Sequence, residues 1–202
     1  RHTHLPEHKF VKGQPETGVE LAEDLERIAM NFGGENIAAC IIEPIAGSTG
    51  TLVPPKGYLK RVREICDKHG ILLIFDEVIT GWGRTGSAFA AQEWGVTPDI
   101  MTMAKATTNG VVPMGGVAVK EQIYDTVLDS SSAPEGTPEL FHGYTYSAIP
   151  VAVAAALAVQ DIFDKEDIIK RAKEMSPYFQ DGLHSLKDLK EVVSIRGYGM
   201  MG

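Results

Sequence analysis

The sequence predicts an α/β fold, a mainly parallel sheet flanked by helices. Two observations predict it. Short apolar runs bounded by turn residues alternate with segments of helical periodicity through the first two-thirds of the 202 residues. Three successive apolar runs also end in polar residues able to do chemistry: Glu43, Asp76 and Lys105. Ligands of open parallel sheets gather beyond the carboxyl ends of the strands, so all three side chains are expected in one region.

The elements follow in order. Residues 1–17 are polar and marked by Pro and Gly, which reads as loop. Leu21, Leu25, Ile28 and Phe32 recur at helical spacing, and Gly33 with Gly34 supplies a stop. Residues 37–42 (IAACII) read as a buried strand, followed by Glu43 and Pro44. After a Gly/Ser/Thr loop over 47–51, Tyr58, Leu59, Val62, Ile65 and Cys66 line one face of a helix that ends with Lys68, His69 and Gly70. Residues 71–75 are the next strand, 88–94 a short helix, and 100–103 the strand before Lys105. A Gly/Pro turn over 110–116 leads to a short strand at 117–119 and a helix over 121–128, then a Ser/Pro/Gly loop over 130–136. Two helical segments run from 151 to about 186, with Pro177 marking a start or a kink, and residues 192–195 (VVSI) read as the beginning of another strand. No internal repeat or low-complexity tract is found.

Composition bounds the function classes. The chain is 44% hydrophobic and 23% charged, ordinary for a globular protein. A net charge of −8 argues against a nucleic-acid partner, which needs clustered Lys and Arg. The longest apolar stretch, 151–159, is too short to span a bilayer, so no membrane partner is read and a reducing cytoplasm is the expected location. Cys40 and Cys66 read as small core residues, and His2, His4 and His69 show no metal-ligand spacing.

An amine and an acid delivered by neighbouring strand ends suit a pyridoxal phosphate enzyme. The lysine bonds the cofactor's carbonyl carbon, and the acid keeps the pyridine nitrogen protonated. Such a lysine also has general acid–base work, moving a proton between substrate and cofactor carbons. Each residue has a plainer reading. Lys105 alone could be a surface lysine past a strand. Asp76 with Glu77 after an apolar run also fits the magnesium-binding acid of a nucleotide hydrolase, but the matching G-x-x-x-x-G-K-[ST] loop is absent from the sequence. Residues 81–86 (GWGRTG) spell G-x-G-x-x-G, yet no long helix opens there and no ribose-binding acid follows at the required distance, so the glycines read as a tight turn passing near a ligand. Glu43, held extended by Pro44, is either a solvated carboxylate or part of the common pocket. Thr145, before the helix begun at Pro150, can cap that helix or serve a phosphate. The role of His142 is left open by its neighbours.

Together the motifs at 41–44 (IIEP), 75–78 (FDEV), 80–86 (TGWGRTG), 99–105 (DIMTMAK) and 142–147 (HGYTYS) resemble the class III aminotransferases, pyridoxal 5'-phosphate enzymes of fold type I. Lys105 follows Asp76 by 29 residues, as in that family. The wording at 57–61 (GYLKR) and 142–148 (HGYTYSA) is most similar to the omega-amino acid (beta-alanine)–pyruvate branch. The resemblance implies transamination from an omega-amino acid or amine to pyruvate or another keto acid. Lys105 would be the cofactor-bonding lysine and proton shuttle, Asp76 the partner of the ring nitrogen, and Val78 the apolar residue on one ring face. Thr145 would reach the phosphate of a neighbouring subunit's cofactor, which implies a homodimer or dimer of dimers. Glu43 would pair with a mobile arginine that switches between substrates. The same fold also serves aminomutases and decarboxylases, and a catalytically silent cofactor-binding or dimerising fragment is the remaining alternative.

Residues 1–150 are then expected to be part of the cofactor-binding large domain, and 151–202 the connecting helices with the first strand of a small C-terminal domain. A phosphate-binding Gly-Ser loop and a ring-stacking aromatic are expected before Arg1, and the mobile arginine after Gly202. The sequence departs from the family pattern at Trp82, Ala106 and Ile149, where phenylalanine, glycine and histidine are usual.

Overall fold

The computed structural model describes residues 3–130, 134 and 143–202. Its sheet has four strands in the order β1 (Ala39–Ile42), β2 (Leu72–Asp76), β3 (Ile100–Met103), β4 (Gly116–Val119). The first three are parallel, with Cys40 beside Leu73 and Asp76 beside Thr102, and β4 returns antiparallel, with Thr102 beside Val117. This is the mixed, mainly parallel α/β sheet that the alternation of patterns predicts.

Helices α1 (Glu23–Phe32) and α2 (Tyr58–His69) cover one face. Strand β2 alternates, turning Leu73 and Phe75 fully inward and leaving Leu72, Ile74 and Asp76 half-buried on the other face. The inward pair meets Leu59, Val62, Ile65 and Cys66 of α2, together with Ala22, Ala29, Ile71 and Val96. Each large aliphatic or aromatic side chain buried there contributes about 1.5–3 kcal/mol. Cys66 is within this core and Cys40 packs against it, both as free thiols. Gly70 ends α2 in the left-handed conformation, its N–H bonding the Asp67 carbonyl, while the Ile71 N–H returns to Cys66.

Among the described residues the remaining α-helices are α3 (Ala90–Glu93), α4 (Glu121–Ser130), α5 (Pro150–Lys165) and α6 (Ile168–His184). Pro150 opens α5 at a position that needs no N–H, whereas Pro177 lies inside α6 and does not start it. Residues 192–195, expected to form a strand, are not paired: Val192 N–H turns back to Leu189, and only an isolated bridge between Tyr198 and Met201 follows. An extended run becomes a strand only when a neighbour takes its backbone groups, and among the described residues none does. Of the loop at 130–136, only Ser130 and Pro134 are described, and His142 is outside the described residues. No described helix is long and apolar enough to cross a membrane.

Candidate active site

Past the carboxyl end of β2 the chain divides two adjacent acids between opposite environments. Glu77 is fully buried. It accepts the Thr80 hydroxyl at 2.5 Å and the Ala90 and Ala91 N–H groups at 2.9 and 2.8 Å. Those two amides begin α3, whose N-cap residue Phe89 has no side-chain acceptor, so Glu77 takes the capping role from across the loop. Burial raises its carboxyl above the usual value and nearby Asp76 adds to this, while the hydrogen bonds oppose it. This structural job is invisible in the pattern, where Glu77 looks like half of an acid pair. The available signal was a short helix with no capping residue of its own.

Asp76 is half-buried, on the face of β2 opposite Leu73 and Phe75. One oxygen accepts the Val78 N–H at 3.0 Å, and among the described residues no cation meets it. Lys105 follows β3, beginning a short 3-10 turn over Lys105–Thr107 with a φ of 48°, a left-handed conformation that a side chain makes costly. Among the described residues its amine has neither a hydrogen-bond nor an ion-pair partner. Because β2 and β3 are neighbours in parallel register, the acid and the amine leave the sheet at the same end.

Lys105 and Val78 line one cleft of about 680 Å³, with Gly47, Ser48, Thr51 and Trp82 also on its wall. Asp76 stands two residues from Val78 and is tied to it by the hydrogen bond just described. Glu43 is on a neighbouring cleft with Tyr58 and Arg196, but its carboxylate accepts the Gly47 N–H at 2.9 Å and so reaches the wall of the lysine cleft. Thr145 lies apart on an exposed turn and lines neither cleft. It does not cap α5: Ile149 is the N-cap residue and makes no side-chain bond there, and the turn is closed by Ser147, which accepts the Tyr144 N–H at 2.9 Å.

The glycines at 81–86 shape a turn. A Cβ at Gly81 would stand 2.8 Å from the Glu77 carbonyl oxygen, and Gly83 has a φ of 86°. Neither opens a helix. Trp82 between them also adopts a left-handed φ of 58°, and its indole N–H donates to the Thr107 hydroxyl at 3.1 Å.

Residues 2–202 match the family described as aminotransferase class-III. The chain belongs to the class III aminotransferases. It is 56% identical over 201 residues to an omega-aminotransferase of Caulobacter vibrioides, and 50% identical over 202 residues to a beta-alanine–pyruvate aminotransferase of Pseudomonas aeruginosa. Those alignments take 99% and 100% of this chain and 45% of each relative. An amine transaminase from an uncultivated Pseudomonas species, solved in its pyridoxal phosphate-bound form, superposes with a TM-score of 0.80 at 41% identity, over 88% of this chain and 40% of its own. The chain thus spans about half the length of the curated relatives it matches.

Class III aminotransferases depend on pyridoxal phosphate. The residues present fit it: an amine without a counter-charge, an acid without a cation, and the apolar Val78, which lines the amine's cleft and bonds the acid, are what a carbonyl-bearing, protonated pyridine ring requires.

Proposed function

We propose that the protein carrying this chain is a pyridoxal phosphate-dependent aminotransferase. It moves an amino group from an omega-amino acid or primary amine to pyruvate or another keto acid. The observation that carries this is the acid and the amine, Asp76 and Lys105, left without ionic partners among the described residues at adjacent parallel strand ends of a class III aminotransferase chain. The donor and acceptor classes are supported by the names of the relatives, an omega-aminotransferase and a beta-alanine–pyruvate aminotransferase.

Pyridoxal phosphate, when bound, supplies an electron sink for the pair left behind as a C–H bond of the substrate breaks. The chain's residues do the rest. Lys105 is the residue that would hold the cofactor through its Nζ, and that nitrogen, when free, would accept the proton from the substrate's amine-bearing carbon and give it back to the cofactor's carbon. Asp76 would hold a proton on the ring nitrogen, and its bond from the Val78 N–H fixes the carboxylate for that task. Val78 would supply apolar surface to the ring. Glu43 serves substrate exchange by pairing with an arginine.

Thr145 is assigned to the phosphate of a neighbouring subunit's cofactor, in a homodimer or dimer of dimers. Its exposure on a turn outside the lysine cleft supports a role toward another copy. Residues 1–150 form part of the cofactor-binding domain, and 151–202 the helices leading to the next domain. The location is cytoplasmic.

The test is product formation. The full-length gene product, incubated with an omega-amino acid and pyruvate, is expected to yield alanine and the keto product of the donor. Absence of alanine would overturn the reading, and a donor isomerised without release of a keto acid would assign an aminomutase.

A further inference from the structure

Four residues lining the lysine cleft carry left-handed backbone without being glycine, Thr51, Trp82, Lys105 and Asn109; two of them, Lys105 with a φ of 48° and Trp82 with 58°, are linked to each other through Thr107. Such conformations are costly and persist only where surrounding contacts over-determine them. The contacts around Lys105 are specific. The Thr107 N–H and hydroxyl both bond the Ala104 carbonyl at 3.1 Å, and Gly110 N–H bonds the Lys105 carbonyl at 3.2 Å. Thr107 is buried, and its hydroxyl oxygen accepts the Trp82 indole N–H at 3.1 Å. The indole is gripped between Phe89, centroids 5.2 Å apart, and Phe163 of α5, centroids 6.2 Å apart. A rigid aromatic cluster therefore fixes the hydroxyl two residues past Lys105, and that hydroxyl fixes the carbonyl just before it.

We propose that Trp82 and Thr107 are positioning residues for Lys105: the indole-to-hydroxyl bond holds the Lys105 turn in its strained conformation and so keeps the amine aimed into the cleft. The proposal rests on the reading of Lys105 as the cofactor-bonding lysine. Trp82 thereby has a use beyond the tight turn that its flanking glycines make.

The test uses Trp82→Phe, which keeps a ring between Phe89 and Phe163 but loses the donor, Thr107→Val, which keeps the shape but loses the acceptor, Thr107→Ser, which keeps the hydroxyl, and the double variant W82F/T107V, all in the full-length gene product. Two readouts address Lys105 itself. One is its pyridoxyl content after sub-saturating pyridoxal phosphate and borohydride, measured by peptide mass spectrometry. The other is its acylation by acetic anhydride across a pH series in cofactor-stripped protein. W82F and T107V are each expected to lower both by about 3- to 10-fold, the worth of one hydrogen bond. The double variant should be no worse than the weaker single, and T107S should match the unaltered protein. Unchanged labelling in W82F or T107V, additive losses in the double, or a T107S that behaves like T107V would overturn the proposal. Should W82F fail to fold, the two Thr107 variants, which leave the aromatic cluster intact, decide it. If the unaltered protein takes no pyridoxyl group on Lys105, the functional reading falls separately, and the acylation profiles still test the positioning.

Discussion

At the amino end of β3, Asp99 meets Arg63 and Lys120 at 2.7 Å each and accepts the Leu73 N–H at 2.7 Å. At the carboxyl end of the same strand pair, Asp76 and Lys105 meet no opposite charge among the described residues. At the amino end the acid precedes β3 and its cations come from α2 and from the residue after β4, whereas at the carboxyl end the acid closes β2 and the amine follows β3. At the amino end every charge is answered within the fold, so the cluster stabilises β2 and β3. At the carboxyl end acid and amine are left open, and the backbone of Lys105 is strained as well. A fold has reason to keep such an arrangement when the answering charges arrive with a ligand.

The sharpest way to break this comparison is to remove Lys105. Lys105→Ala in the full-length gene product is expected to lower transamination by about 10²–10⁴-fold, the range for loss of a positioned proton-transfer group. The same variant should change the stability of the cofactor-free protein by less than about 0.5 kcal/mol, since no partner is lost. Denaturant unfolding beside the activity assay checks both. A variant that stays active, or one that unfolds readily, would erase the distinction between the two ends.

Asp99→Asn should do the reverse. Loss of a charge that accepts three hydrogen bonds is expected to destabilise the fold by about 1.5–3 kcal/mol while sparing the chemistry. Burial pushes the Asp99 carboxyl up, but the bonds from Lys120, the Leu73 N–H and Arg63 outweigh it and hold it below the usual carboxylate range. Its stabilisation is therefore complete above the unfolded value of about 4 and fades as pH falls through the lower folded value. Stability curves of the parent and Asp99→Asn should lie apart near neutral pH and converge in acid. A constant gap down into strong acid would mean that the charge of Asp99 is not the source.

What could be read beforehand divides along a similar line. The helix α2 was legible from its apolar face and from Gly70, because both signals are local, and the strands β2 and β3 from their continuous apolar runs. The strand ends placed Asp76 and Lys105 at one edge of the sheet for the same reason. Long-range contacts were not legible. Nothing near Glu77 in the sequence announces that it caps a helix 13 residues on. Nothing near residues 192–195 says that a β-like composition will find no partner among the described residues. The left-handed φ of Lys105 was hidden because the usual sign of that conformation is a glycine, and a lysine is tolerated there only through tertiary contacts.

The smallest expected effect sharpens the comparison from inside the satisfied end. Lys120 bonds Asp99 as closely as Arg63 does, yet its side chain is 45% exposed against 15% for Arg63. Water and salt compete for an exposed ammonium, so Lys120→Ala should cost about 0.2–1 kcal/mol, and the loss should shrink further as salt is added. Arg63→Ala should cost more and respond less to salt, because it strips the shielded member and leaves Asp99 with a solvated ammonium as its one cation. Urea unfolding of the two variants at low and high ionic strength measures the order. Equal losses would mean that proximity alone sets the worth of these pairs. An open Lys105 would then say little about its purpose, since even an answered lysine would count the same wherever it stood.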